Sequence, residues 1–398
     1  STTINEKEII DLILKDEIAE KEKRYDDLLK IRIRLLELAE DEYGPSEENI
    51  AYLNFSIARV YRLKGLYKKA EFHYKKGISI LNNIYGANHI QLGSAINSLG
   101  LILFDQGLFS DAEIQYKESL RIKEKFYGKE SPKLVITLSN LGLTYRELYL
   151  LDNAEMIYLR CLDILQKAKI FKGKEVSQVL LNLGAVYYYK RHTPGKEDQY
   201  LSLAESYMKK ALEIDMELYG ENNLVTVNTM ENLAVLYIKT NRVDLAESYL
   251  LKTLAVRENL LNSLHPLLSL TYNNLGLVYE AKNQMYKSEA MYKKSLDIAQ
   301  KTYGENHIIT SNSRSNLATF YLEDNSLQKS TDLFRQNIIN ISTIIQKEAP
   351  LMPIDERPLF IERFSPDFNI IYSFITQGKL PPSLALHSRL NRQGILQD

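Results

Sequence analysis

One feature limits what this chain can fold into: a glycine or alanine marker recurs at a nearly constant interval along most of the sequence. The interval between successive markers is 42 residues in five cases and 50 residues in one. The markers are Ala58, Gly100, Gly142, Gly184, Ala234, Gly276 and Ala318. A unit of this size cannot bury an apolar face by itself. The units must therefore stack, and any function must belong to the surface that the stack creates.

The residues around each marker have the period of an amphipathic helix. Leu99 and Leu103 lie one residue before and three residues after Gly100, which places all three on one helical face. A second run with the same period begins near Ala112, and the polar residues 105–107 separate the two runs. Each unit is therefore predicted to be a pair of helices joined by a short turn, an αα-hairpin.

Small residues also recur twelve positions after the marker, in the second helix of each predicted pair. In the third repeat the two small residues are Gly142 and Ala154. They allow the helix axes to approach closely, because a side chain larger than a methyl group would push the axes apart. Replacing either residue with leucine is expected to destabilise the fold by about 1–3 kcal/mol through overpacking.

Recurrent residues also mark the predicted helix ends. A Tyr-Gly pair closes the second helix of most repeats, where glycine suits a left-handed conformation. These pairs are Tyr43-Gly44, Tyr85-Gly86, Tyr127-Gly128, Tyr219-Gly220 and Tyr303-Gly304. The turns before the next helix contain histidine or proline at Asn88-His89, Ser131-Pro132, His265-Pro266 and Asn306-His307. We interpret these residues as helix boundaries rather than as groups that carry chemistry.

The complete pattern resembles a known repeat. Leu141-Gly142, Tyr145, Ala154 and Tyr158 resemble the tetratricopeptide repeat (TPR) signature. The 42-residue period is similar to the long variety in kinesin light chains and many bacterial proteins. The resemblance covers about residues 15 to 345. It implies an all-α, right-handed superhelical solenoid of seven helical hairpins that acts in protein interaction.

Three regions are predicted along the chain. Residues 1–45 are expected to form an N-terminal capping helix or a degenerate repeat, residues 46–346 the seven repeats, and residues 347–398 a proline-containing helical tail or linker. The fourth repeat has eight extra residues, placed between Lys190 and Leu203. They are interpreted either as a surface insertion in the hairpin loop or as a loop that contacts a partner.

The end of the chain carries a second resemblance. Leu390, Asn391, Arg392 and Gly394 resemble the segment that joins the repeats of bacterial TPR–CHAT proteins to a caspase-like protease domain. This resemblance implies an alternative function, the regulatory or sensor region of such a protease in bacterial defence. The protease domain itself would lie outside this chain, and a C-terminal protease domain or an effector complex would be a partner.

Composition limits the other classes of function. Lys and Arg number 50 against 51 Asp and Glu, so the net charge is −1 and direct nucleic-acid binding is not expected. The first ten residues do not resemble a secretion signal, and no apolar run has the length of a membrane span. We expect a soluble cytoplasmic protein. Its one cysteine, Cys161, cannot form an internal disulfide.

No catalytic, metal or cofactor motif is found in the sequence. A phosphate loop, a nucleophile elbow and zinc-type Cys/His spacing are all missing. Cys161 takes the second-helix position that Ser119 and Ala211 occupy in other repeats, so it is expected to be a small packed residue. We therefore predict that this segment is not an enzyme and requires neither a metal nor a cofactor.

The candidate binding residues form a series in the first helices. If the marker is numbered eight, position six lies on the helix side opposite the hairpin partner. The series at position six includes Asn140, Asn182, Asn232, Asn274 and Asn316. A row of carboxamides can bind the main chain of an extended peptide, because each one donates and accepts hydrogen bonds. The alternative is that each amide bonds to the adjoining repeat and fixes the stacking angle.

Residues that vary between repeats would give specificity. Arg59, Arg62 and Arg146 are candidates for binding acidic groups. Phe104, Tyr188 and Tyr189 are candidates for apolar pockets. The sequence thus predicts a scaffold that binds a peptide or partner protein in a concave groove. A kinesin-like cargo adaptor is disfavoured, because residues 1–42 are too short and too irregular for a coiled coil.

Overall fold

The computed structural model describes residues 4–305, 307–348, 371 and 373–381, which contain α-helices and one 3₁₀ helix but no β-strand. The first nine helices are α1 (Ile4–Lys21), α2 (Tyr25–Tyr43), α3 (Glu48–Leu63), α4 (Tyr67–Tyr85), α5 (Ile90–Asp105), α6 (Phe109–Tyr127), α7 (Val135–Glu147), α8 (Leu151–Lys167) and α9 (Lys174–Lys190). They are followed by α10 (Glu197–Tyr219), α11 (Leu224–Lys239), α12 (Val243–Leu260), α13 (Pro266–Ala281), α14 (Met285–Tyr303), α15 (Ile308–Glu323) and α16 (Leu327–Glu348). The 3₁₀ helix, Pro132–Leu134, precedes α7.

The chain divides into two compact units, residues 1–207 and residues 208–398. In unit 1, α3 packs on α4, α5 on α6 and α7 on α8, and each pair also packs on the next. In unit 2 the same holds for α11 with α12, α13 with α14 and α15 with α16. The all-α fold of stacked hairpins that the period predicted is therefore confirmed.

Three of the glycine markers face a tyrosine of the second helix in the same hairpin at close range. In unit 1, a Cβ added to Gly100 would lie 2.8 Å from Tyr116 Cε1, and one added to Gly142 would lie 2.8 Å from Tyr158 Cζ. In unit 2, a Cβ on Gly276 would lie 2.6 Å from Tyr292 Cε1. These distances are too short for a real carbon, because interiors are packed to crystal density. At these three markers the residue is glycine because a tyrosine of the second helix occupies the space beside it.

The predicted helix ends are also confirmed. Gly86 and Gly128 have φ angles of 79° and 85°, which is the left-handed conformation that closes a helix. His89 accepts a hydrogen bond from the backbone N–H two residues later, at 3.4 Å. His265 and His307 do the same at 3.2 Å. Because each imidazole caps a helix start, these histidines have a structural role.

Residues 4–43 form two helices, α1 and α2, rather than one long helix. Leu28 of α2 is buried in a core that continues into the first repeat. Arg32 is also buried and donates to Asp16 at 2.8 Å, to Glu20 at 2.7 Å and to the Ser56 carbonyl at 3.2 Å. This guanidinium therefore joins the N-terminal hairpin to α3.

The insertion in the fourth repeat is only partly a loop, which corrects the sequence interpretation. The α9–α10 connection, residues 191–196, is six residues long, whereas the α5–α6 connection, residues 106–108, has three. The remaining extra residues extend the helices, since α9 has 17 residues against 16 in α5 and α10 has 23 against 19 in α6. A helix extension satisfies its own backbone hydrogen bonds, which a longer loop would leave to solvent.

Part of the predicted tail covers the last hairpin of unit 2. Ile371 and Leu380 are buried and pack against Leu322, Phe334 and Ile338. These contacts cover an apolar face that would otherwise end the stack exposed. The residues that carry the second resemblance, Leu390, Asn391, Arg392 and Gly394, lie outside the described residues.

Candidate binding face

The first helices of unit 1 have an exposed side opposite their hairpin partners. On α7 this side carries Ile136, which is 58% exposed, and the half-buried residues Asn140 and Leu143. On α9 it carries the half-buried Asn182. We call the surface formed by Ile136, Asn140, Leu143 and Asn182 the first-helix face of unit 1. It combines apolar contact area with carboxamides, the groups that a peptide main chain requires.

One candidate asparagine of unit 1 is linked to the preceding repeat. Asn140 donates from Nδ2 to Asn97 Oδ1 of the preceding repeat at 3.4 Å. This bond supports the stacking role that the sequence left open. It also leaves the Asn140 carbonyl and the Asn97 NH₂ group for other partners, so the pair keeps one acceptor and one donor. Asn97 was not among the sequence candidates, although it lies at position five on the same helical side.

The asparagines of unit 2 differ from one another. Asn316 donates to Asn273 at 2.7 Å, which repeats the pairing seen in unit 1, and Asn232 donates to the carbonyl of Asn228 in its own helix at 2.8 Å. Asn274 is only 4% exposed and donates to the buried Glu231 at 3.4 Å. Because Asn274 is buried, we leave it out of the candidate binding residues and assign it to stacking.

Two of the candidate arginines are held by carboxylates of neighbouring hairpins. Arg62 donates from Nε to Asp105 of the next repeat at 2.5 Å. Arg59 pairs with Glu20 of α1. An arginine that already has a carboxylate partner is a weaker candidate for an acidic ligand, because the ligand must displace that partner. We therefore assign Arg59 and Arg62 to contacts between hairpins rather than to binding of an acidic ligand.

The remaining candidates lie at the C-terminal ends of first helices. Arg146 donates to the adjacent Glu147 at 2.8 Å, and its guanidinium lies 6.0 Å from the Tyr189 ring centre. Burial, the largest single effect, lowers the pKa of Arg146, but the hydrogen bond to Glu147 and the charges of Glu147, Tyr189 and Tyr158 together outweigh it, so the pKa is raised. Phe104 packs edge-on against Phe109 at 5.1 Å. The structure thus brings Arg146 and Tyr189 together, with Phe104 in a separate contact.

Sequence reasoning missed two residues beside this group. Tyr149 is 69% exposed, and its ring lies 6.3 Å from that of Tyr189. The guanidinium of Arg191 lies 3.9 Å from the centre of the Tyr188 ring. A signal was present for Tyr149, because it lies seven positions after its marker, where Gly65 and Gly107 follow theirs. Arg191 carries the same signal, because it lies seven positions after its own marker, Gly184.

The structure offers little support for chemistry. Cys161 is buried, and burial raises the pKa of its thiol to about 12, so it is the packed residue that the sequence predicted. No group of three or more His, Cys, Asp or Glu residues within the described part of the chain could hold a metal ion. Among the same residues, no helix combines the length and the apolar character that crossing a membrane requires.

Several comparisons with known proteins bear on this fold. The tetratricopeptide-repeat family model matches residues 91–167, 201–259 and 267–336. None of the curated proteins matches the sequence. Among solved structures, the apo form of the quorum sensor NprR from B. thuringiensis is 15% identical with a TM-score of 0.62, over 85% of this chain and 87% of that chain.

Two further solved structures are similar. The apo form of RapI is 16% identical with a TM-score of 0.57, over 74% of this chain and 98% of that chain. A putative kinesin light chain from Podosopora anserina with TPR-like repeats is 17% identical with a TM-score of 0.43, over 54% of this chain and 98% of that chain. At identities this low, the similarity to these structures shows a shared fold and nothing more. Because the family model covers more than half of the sequence and the helices form the expected stacked hairpins, the chain belongs to the tetratricopeptide-repeat family.

Proposed function

We propose that this protein is an interaction scaffold that binds an extended peptide or a partner segment on the first-helix face of unit 1. The observation that carries the proposal is the exposed Ile136 beside half-buried carboxamides on α7 and α9. Ile136 has 58% of its surface in water, so a partner that covers it lowers the free energy of the complex. The Asn97 and Asn140 amides supply hydrogen bonds that do not depend on the partner's side chains.

The likeness to NprR supports this proposal at the level of fold only. NprR is described as a quorum sensor, and its fold resembles that of this chain. The TPR fold is typical of interaction modules rather than of enzymes. We therefore propose binding, and not catalysis, as the activity of this segment.

The test uses the full chain and a display library of random ten-residue peptides. The affinity of peptides selected on the parent chain is then measured for the Ile136→Asp variant. In this variant a peptide would have to bury the new carboxylate, which opposes binding. Ile114→Asp is the matched control, because Ile114 on α6 is 60% exposed and lies on a second helix. We expect about a tenfold or greater loss of affinity for Ile136→Asp and none for Ile114→Asp. Equal losses for both variants, or none for either, would contradict the proposed face.

A second function is proposed from the C-terminal sequence. The Leu390, Asn391, Arg392 and Gly394 resemblance supports a regulatory region of a caspase-like protease, with the repeats as sensor. The native gene tests this proposal directly. A downstream reading frame that encodes an α/β domain with a His and a Cys would support it, and a stop codon directly after Asp398 would exclude it for this chain.

A further inference from the structure

An aromatic and cationic cluster lies at the C-terminal ends of α7 and α9 and in the connections that follow them. We call it the Tyr-Arg cluster and define it as Arg146, Tyr149, Tyr188, Tyr189 and Arg191. Its members form a chain of neighbouring side chains. The Arg146 guanidinium lies 6.0 Å from the Tyr189 ring centre, and the Tyr188 and Tyr189 ring centres are 6.0 Å apart. The Arg191 guanidinium lies 3.9 Å from the Tyr188 ring centre. Tyr149 adds an edge-to-face contact with Tyr189 at 6.3 Å. Tyrosine and arginine are the residue types that most often dominate binding energy at interfaces.

The backbone of Tyr149 is strained. Its φ angle is 59°, a left-handed conformation that side chains with a Cβ avoid. The equivalent residue, seven positions after the marker, is also left-handed in five other repeats. Those residues are Gly65, Gly107, Asn241, Asn283 and Asn325. Glycine and asparagine tolerate this conformation at little cost, so the exposed tyrosine departs from the low-strain choice that the other repeats make.

The two arginines differ in their partners. Arg146 is paired with Glu147 at 2.8 Å, and its stacking contact orients the Tyr189 ring. Arg191 donates from Nη1 to the Tyr188 carbonyl at 2.5 Å, and it has no carboxylate partner among the residues that the structure describes. Its Nε also lacks an acceptor there. A guanidinium without a carboxylate partner, stacked on the half-buried ring of Tyr188, is electrostatically complementary to the carboxylate of a ligand.

We propose that the Tyr-Arg cluster binds an acidic side chain of the partner peptide together with an adjacent aromatic side chain. This inference rests on the proposed peptide-binding function and adds the chemistry of the partner. The peptide carboxylate accepts hydrogen bonds from Arg191, while its aromatic neighbour packs on the exposed surface of the Tyr149 and Tyr189 rings. Tyrosine rings suit this role because they lose little conformational entropy on binding. Arg146 acts as a positioning residue, since it holds the Tyr189 ring.

The experiment starts from peptides selected by display on the full chain. Each binder that contains an acidic residue is synthesised with a fluorescein label, in a pair with its amide counterpart, Asp to Asn or Glu to Gln. We expect the acidic peptide to bind about tenfold more tightly than its amide, and Arg191→Gln to remove this difference. Arg121→Gln is the control, because Arg121 on α6 is a half-exposed arginine paired with Glu118 outside the cluster.

Tyr149→Asn separates binding from folding. Asparagine occupies the same left-handed position in three repeats of unit 2, so the melting temperature should stay level or rise while affinity for the selected peptide falls. A fall in melting temperature together with an unchanged affinity would show a purely structural role and overturn the proposal. Binders that lose nothing on conversion to amides, yet still depend on Ile136, would overturn the inference and leave the proposed function standing. Failure to select any binder would overturn both.

Discussion

At the scale of single residues, the packing beside a marker glycine limits the side chain that its position accepts. Beside Gly142, Tyr158 Cζ lies 2.8 Å from where a Cβ would be. The space is filled by Tyr158 because the rotation of the second helix directs that ring at the glycine.

Gly142→Ala tests this contact. The added methyl group must displace the Tyr158 ring, so we expect a loss of about 1–3 kcal/mol in the free energy of unfolding, measured by urea titration. The second substitution Tyr158→Leu should recover part of the loss, because the fifth repeat has alanine at the marker, Ala234, and leucine sixteen residues later, Leu250. Additive losses in the double variant would show that the two side chains do not compete for space.

The carboxyl of Glu280 is a second residue-scale feature with a measurable consequence. Burial, together with the nearby Glu323, raises its pKa from 4.5 to about 7, although Tyr292 donates to it at 2.6 Å. The folded chain therefore keeps a proton that the unfolded chain releases between about pH 4.5 and 7. Since the folded state binds more protons, the contribution of Glu280 to stability falls as the pH rises through this window.

Glu280→Gln should remove this dependence, because glutamine resembles the protonated carboxyl at every pH. We expect the variant to exceed the parent by about 1 kcal/mol at pH 8, after allowance for partial exposure, and to match it near pH 4.5. Glu289→Gln is the control, for which the opposite change in stability is expected. Lys293 and Tyr321 lower the pKa of Glu289 and stabilise its ionised form. Thermal unfolding at both pH values distinguishes the two. A gain for Glu280→Gln that is equal at both pH values would contradict the proton linkage.

At the scale of helices, the repeat period predicted the hairpins but not the contacts that hold one hairpin on the next. In unit 2 this link is a buried ionic cluster around Arg257 of α12. Arg257 donates to Glu231 of α11 at 2.7 Å and to Thr271 of α13 at 2.6 Å, and Glu231 also accepts from Asn274. From sequence alone, Arg257 looks like an ordinary surface arginine. Burial depends on the register of three helices, which no local pattern contains.

Arg257→Met tests the energetic role of this cluster. Removing the guanidinium leaves Glu231 buried without a counter-charge, so we expect a loss of about 3–5 kcal/mol and a lower urea midpoint for unit 2. The double variant Arg257→Met with Glu231→Leu should lose less than Arg257→Met alone, because no isolated charge remains. A double variant as unstable as the single one would show that packing volume, rather than charge, dominates at this junction.

At the scale of the whole molecule, the sequence by itself determined the helical class, the seven hairpins, most helix ends and the buried place of Cys161. Each of these follows from local rules, since helix period, glycine at a left-handed position and small residues at close contacts all act within one repeat or its neighbour. The tertiary structure alone decided that the chain forms two compact units, that much of the insertion extends helices, and that Asn274 is buried. It also brought Tyr149 and Arg191 beside the predicted Arg146, because contacts between repeats depend on how helices pack in three dimensions.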